Sequence, residues 1–257
     1  MLAGLGALPA LAVVERQGEA LQARFAARRD IAAEIARFRE HAPALPDINA
    51  LLKDRRALLM VLEAFQLEGE IGKGAILRRV LSEDPADQSS LVNRLADPRW
   101  KQLATAMGAG RVQGPPLAGP EVLNRIVEGV LTNRFEKEMG AANPGMREAL
   151  YFRRMAGRVE SIAQLMSDRA LTEVVGGAMG LPKQFGLLSF EQQRDLLTRR
   201  VDLQQFDDPK AIARLAQCYV AQLEPAEPFA NPIVALFSGA GANSAASPAP
   251  RSLSLNV

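Results

Sequence analysis

The segment Gly69-Glu70-Ile71-Gly72-Lys73-Gly74 holds the residue types of a phosphate-cradling loop. In such a loop glycines let backbone N–H groups approach the phosphate and a lysine neutralises it. That pattern also needs glycine where Leu67 stands and Ser or Thr where Gly74 stands. The segment therefore reads as a turn between two helices. Gly108-Ala109-Gly110 lacks the third glycine of a dinucleotide fingerprint and follows a helical pattern instead of a strand. His41 and Cys218 are the one histidine and the one cysteine, hence the only pair for thiol catalysis. His41 adjoins a proline-rich exit at Pro43 and Pro46, whereas Cys218 sits mid-helix beside Leu215 and Tyr219 and reads as structural. Single residues of each type exclude disulfide frameworks, Cys/His zinc clusters and haem attachment. No catalytic residue, metal ligand or cofactor is expected.

Carboxylates are plentiful, but most fall at helix caps (Asp54, Asp97, Asp168, Asp208) or at the solvent-facing spacings of Glu136 and Glu138. None stands out as an acid and base pair. Double-basic steps at Arg28-Arg29, Arg78-Arg79, Arg153-Arg154 and Arg199-Arg200 have the chemistry for phosphate contacts. Adjacent residues on a helix point about 100° apart, so each step reads as a solvated face. Thirty-one Lys and Arg against twenty-nine Asp and Glu leave a net charge of +2, and no field draws the whole chain onto nucleic acid. Aromatic and arginine residues interleave only around Tyr151-Phe152, which is read as a structural anchor of its helix between two halves.

The elements that position these residues are helical. Helix formers dominate, strand formers are sparse, and the chain is expected to be all-α. Residues 1–13 read as a flexible apolar arm, broken by Pro9, without a basic flank and too short to span a bilayer. Val14, Leu21, Phe25, Ala32, Ile35 and Phe38 recur at helical spacings and predict one long helix to about Glu40. Asp84-Pro85, Asp97-Pro98, Gly119-Pro120, Asn143-Pro144 and Asp208-Pro209 read as helix starts, and Ser189 with Gln192 as a capping box. The Gly- and Pro-rich stretch from Gly108 to Pro120 is a connector. Residues 224–257 have a composition that reads as a mostly disordered tail. Within that tail Ile233, Leu236 and Phe237 fall on one helical turn after Asn231-Pro232, which makes them candidate partner-binding residues.

An internal repeat organises the rest. Asp54, Leu58 and Ala64-Phe65-Gln66-Leu67 align with Asp168, Leu171 and Ala178-Met179-Gly180-Leu181, with the leucines offset by one. Arg78-Arg79-Val80 then matches Arg199-Arg200-Val201, and Val92-Asn93-Arg94-Leu95-Ala96 matches Ile212-Ala213-Arg214-Leu215-Ala216. Residues 14–223 are therefore read as one compact multi-helix bundle of two related halves, 47–109 and 161–223, joined by a loop and middle helices. Asp54, Asp168 and Asp208 are the expected structural caps. Two such units would each leave an apolar face bare, so one packing on the other is the expected way to complete the core.

Leu51-Leu52-Lys53-Asp54-Arg55-Arg56, Ala64-Phe65-Gln66-Leu67, Ser90-Leu91-Val92-Asn93-Arg94-Leu95-Ala96-Asp97, Arg147-Glu148-Ala149-Leu150-Tyr151-Phe152-Arg153-Arg154 and Asp168-Arg169-Ala170-Leu171 through Gly180-Leu181-Pro182 resemble the bacterial domain of unknown function twelve-seventeen. The similarity runs from about Asp47 to Leu223. Gln66 stands where that family is expected to have glycine. The resemblance implies a helical protein of the kind often encoded in alphaproteobacterial flagellar gene clusters, with no catalytic motif to carry over. It leads to the expectation of a non-enzymatic, cytoplasmic protein that assists the flagellum by binding flagellar or other proteins, with no nucleic acid and no membrane span. The alternatives are an exported structural flagellar component, and an enzyme with a carboxylate and arginine site between the halves.

Overall fold

The computed structural model describes residues 4–110 and 114–223. Among them are twelve α-helices linked by short 3-10 turns, with no strand. No helix among the described residues is long and apolar enough to cross a membrane. The stretch 224–257, with Ile233, Leu236 and Phe237, lies outside the described residues.

The arm expected to be flexible over residues 1–13 is instead helical from its seventh residue, in α1 (Ala7–Ala26). Pro9 does not break this helix because it lies in the first turn, where a missing N–H removes no internal bond. Ala7, Ala10 and Leu11 are buried, so the apolar run packs against the body. The single helix expected from Val14 to Glu40 is interrupted: α1 kinks at Gln17 (φ −129°, ψ 16°), and the chain breaks again before α2 (Arg29–His41). The break is at Arg28, which turns extended at φ −59°, ψ 135° and donates to Asp30 and Glu138. The turn lets one apolar stripe serve two cores: Leu21, Phe25 and Ile31 enter one, Phe38 the other.

Two runs of elements then follow in the same order. The first comprises α3 (Ile48–Lys53), α4 (Arg55–Ala64), a 3-10 turn at Glu68–Glu70, α5 (Gly74–Ser82), a 3-10 turn at Leu91–Asn93 and α6 (Pro98–Ala106). After α7 (Pro120–Ala142) and α8 (Met146–Met155) comes the second: α9 (Ile162–Ser167), α10 (Arg169–Ala178), a 3-10 turn at Lys183–Leu187, α11 (Phe190–Arg200), a 3-10 turn at Leu203–Asp207 and α12 (Pro209–Leu223). Capping chemistry explains the agreement. Asp54 accepts the N–H groups of Arg56 and Ala57 at 3.1 and 2.9 Å, and Asp168 those of Ala170 and Leu171 at 3.0 and 3.2 Å. Asp97 and Asp208, each before a proline, accept from Arg99 and Lys210 at 2.9 Å. Ser189 and Gln192 form the capping box of α11.

α4 and α10 also end alike, in a left-handed residue followed by a leucine. Leu67 N–H reaches back to Leu62 O at 2.9 Å, and Leu181 N–H to Gly176 O at 2.8 Å. The left-handed residue is Gly180 (φ +64°) in the second run but Gln66 (φ +58°) in the first.

The halves do not complete one core by packing face to face, as the repeat suggested. Each has its own apolar cluster, because α7 and α8 intervene. α4 packs on α7, while α10 packs on α8 and α12. α7 gives Ile126, Val127 and Val130 to the first cluster and Phe135 and Met139 to the second, with Leu131 against both. Phe152 is fully buried in the second cluster, where it meets Phe206 edge-on at 5.7 Å. It therefore anchors the second half and not the junction.

Candidate functional site

A groove of about 700 Å³ opens where the first half meets the middle helices, between the end of α4, the length of α6, one face of α7 and the end of α8 with the turn after it. Its floor depends on Gly129: a Cβ there would lie 2.7 Å from Ala64 O, so α4 and α7 approach closely only without a side chain. Five cationic side chains, Arg99, Lys101, Arg125, Arg154 and Arg158, line the groove against one carboxylate, Glu128.

Two of these cations are fixed from behind. Arg99 donates through Nη1 to Gln66 O at 2.9 Å and through Nη2 to Asp97 at 2.7 Å. Arg154 donates from Nε and Nη2 to the two oxygens of Glu136 at 3.0 and 3.2 Å. The amide of Gln66 donates to the same carboxylate at 3.1 Å. Glu136, expected on a solvent-facing position, has a side chain only 4% exposed. Burial pushes its pKa up, against the opposing hydrogen bond and charge of Arg154.

Tyr151 sits beneath Arg154, whose guanidinium carbon is 5.2 Å from the ring centroid. Its hydroxyl donates to Asp168 at 2.5 Å, which links the groove to the cap of α10. Burial, with the charge of Asp168 adding to it, pushes the pKa of this hydroxyl up. Lys101, Arg125 and Arg158 are exposed and engage no side chain among the described residues. The carboxylates behind the groove are thus bonded, and its open wall presents positive charge.

The remaining sequence candidates lie elsewhere. His41 Nε2 is 2.6 Å from Asp54 Oδ2, so the imidazole faces a cap and not Cys218. Cys218, read as structural, lies mid-helix on α12 with its side chain exposed. Gly69–Gly74 forms a turn in which Lys73 pairs with Glu70 and Lys137 with Glu68, both at 2.5 Å. Of the double-basic steps, Arg28, Arg79, Arg153 and Arg154 are taken up in ion pairs. Among the described residues no group of three His, Cys, Asp or Glu side chains gathers as a metal site would require. Sequence reasoning missed Glu136 and the cationic wall. The one signal was α7 itself, whose apolar residues lie on more than one face, as in a helix enclosed by neighbours.

Residues 64–212 match the model of the family described as protein of unknown function, DUF1217. The chain belongs to this family. The DUF1217 match takes in Gln66, the five cations, Glu136, Tyr151 and Asp168, and leaves Asp54 and most of α12 outside. The fold is shared with a crystal structure of an Agrobacterium tumefaciens protein, at a TM-score of 0.74 and 23% identity over 85% of this chain and 93% of that one. No curated protein matches this DUF1217 chain.

Proposed function

We propose that this DUF1217 protein is a non-catalytic helical binding module that assists the flagellum from the cytoplasm. The observation that carries the binding reading is the state of the groove. Glu136 is bonded to Arg154 and Gln66, and Asp168 to Tyr151 and its own helix, while Lys101, Arg125 and Arg158 are exposed with no side-chain partner among the described residues. The enzyme alternative calls for an unpartnered carboxylate enclosed in the cleft: Glu136 and Asp168 are bonded, and Glu128, the carboxylate on the groove wall, is exposed. The flagellar setting rests on the resemblance to a family often encoded in flagellar gene clusters. An exported structural component would suit an unordered apolar N-terminus, and that segment is helical from Ala7 in α1. Deleting the gene in a flagellated host tests the setting: reduced swimming, shorter filaments or less exported flagellin is expected, and normal values of all three overturn it.

A further inference from the structure

We propose that the groove between α4, α6, α7 and α8 binds a carboxylate-rich segment of a partner protein, a specificity that rests on the protein-binding reading above. The first support is charge. Arg125 and Glu128 lie on the face of α7 that carries Gly129 and Thr132, while Lys101 comes from α6 and Arg158 from the 3-10 turn Ala156–Arg158 that follows α8. A segment in the groove thus meets cations contributed by three separate elements, against the single carboxylate of Glu128. The groove on the other side of α4, around His41 and Asp54, mixes Glu34, Glu40 and Asp54 with Arg37, Arg56 and Arg134 and has no comparable sign.

The second support is Gln66. It is the one non-glycine residue among those described with a positive φ, and its counterpart in the second half is glycine. A left-handed side chain of this kind costs about 1–2 kcal/mol and persists where its surroundings over-determine it. What the side chain adds here is the hydrogen bond to Glu136, and Glu136 holds Arg154 on the groove wall. The first half thus carries backbone strain at the point where a guanidinium is positioned, and the second half, lacking this contact, does not.

The third support is the apolar part of the lining. Phe65, Met155 and the methyls of Ala64 and Ala106 suit a segment in which carboxylates alternate with small apolar residues. Nucleic acid suits the groove less, because a strand stacks successive bases on several aromatic faces, and of the two aromatics in the lining Phe65 is half-buried while Tyr151 is 4% exposed beneath Arg154.

The full chain is titrated into a fluorescein-labelled peptide of alternating Glu and Ala, with the Gln-Ala peptide as control, and anisotropy is read. The Glu peptide should bind and the Gln peptide should not. The triple variant Lys101→Gln, Arg125→Gln, Arg158→Gln should raise Kd about tenfold or more, equivalent to about 1.4 kcal/mol, at an unchanged melting temperature. A charge-matched triple variant away from the groove, Arg29→Gln, Arg199→Gln, Arg200→Gln, should leave Kd unchanged. Equal Kd values for the two triple variants, equal binding of the two peptides, or displacement of the Glu peptide by a lower concentration of single-stranded oligonucleotide overturns the proposal. Those results bear on the groove and leave the wider protein-binding reading to the cellular experiments.

Discussion

Asp54 and Asp168 hold equivalent places in the two halves: one oxygen of each caps a ten-residue helix, and the other meets a ring-bearing side chain. For Asp54 the second partner is His41 Nε2 at 2.6 Å, and for Asp168 it is the hydroxyl of Tyr151 at 2.5 Å. The difference is burial. His41 is 59% exposed, whereas Tyr151 is enclosed. Asp54→Ala should therefore cost about 0.5–2 kcal/mol, the worth of a cap. Asp168→Ala should cost about 1–3 kcal/mol more, because it leaves a buried hydroxyl without an acceptor. Urea unfolding of the two variants measures the difference.

Gln66 gives a second outcome. Gln66→Ala loses the bond to Glu136 and keeps a side chain at positive φ, whereas Gln66→Gly loses the bond and relieves the strain. The alanine variant should be the less stable of the two by about 1 kcal/mol, read from thermal melts.

Phe152→Ala should cost about 3–5 kcal/mol by opening a cavity in the second core. Its edge-on contact with Phe206 should appear in a double-mutant cycle as a coupling of about 0.5–1.5 kcal/mol.

Alkaline pH should separate Tyr151→Phe from the parent. Burial and Asp168 raise the folded pKa of this hydroxyl, while in the unfolded chain it ionises near ~10. The folded state then binds more protons above that pH, so stability is fully present below ~10 and is lost as pH rises toward the raised value. Tyr151→Phe should be about 1.5–3 kcal/mol less stable at neutral pH, having lost a bond to a charged acceptor, but should lose less stability between ~9 and ~11. Some slope should remain, since burial raises Tyr219 in the same direction. Urea midpoints against pH report both effects.

Cap chemistry was legible in the sequence at most sites and enclosure was not; Asn143-Pro144, read as a helix start, is where α7 ends, and Asp84-Pro85 leads into a turn. Asp54, Asp168 and Ser189 announce helix starts because a cap is made within three residues, and the matched segments around Asp54 and Asp168 revealed two runs of helices in one order. The break at Arg28 left no mark, since apolar spacing continues across it without glycine or proline. Pro9 misled because a proline is tolerated in a first turn. Glu136 read as solvated because its partners, Arg154 and Gln66, lie 18 and 70 residues away. Only the close packing of α4, α7 and α8 brings them together.

Quantitative affinity capture of the full chain from flagellated cells, beside the Lys101→Gln, Arg125→Gln, Arg158→Gln variant, tests the binding role most directly. The account predicts that a flagellar protein co-purifies in stoichiometric amount with the parent chain and is depleted with the variant. Recovery of no flagellar component above an untagged control would contradict it.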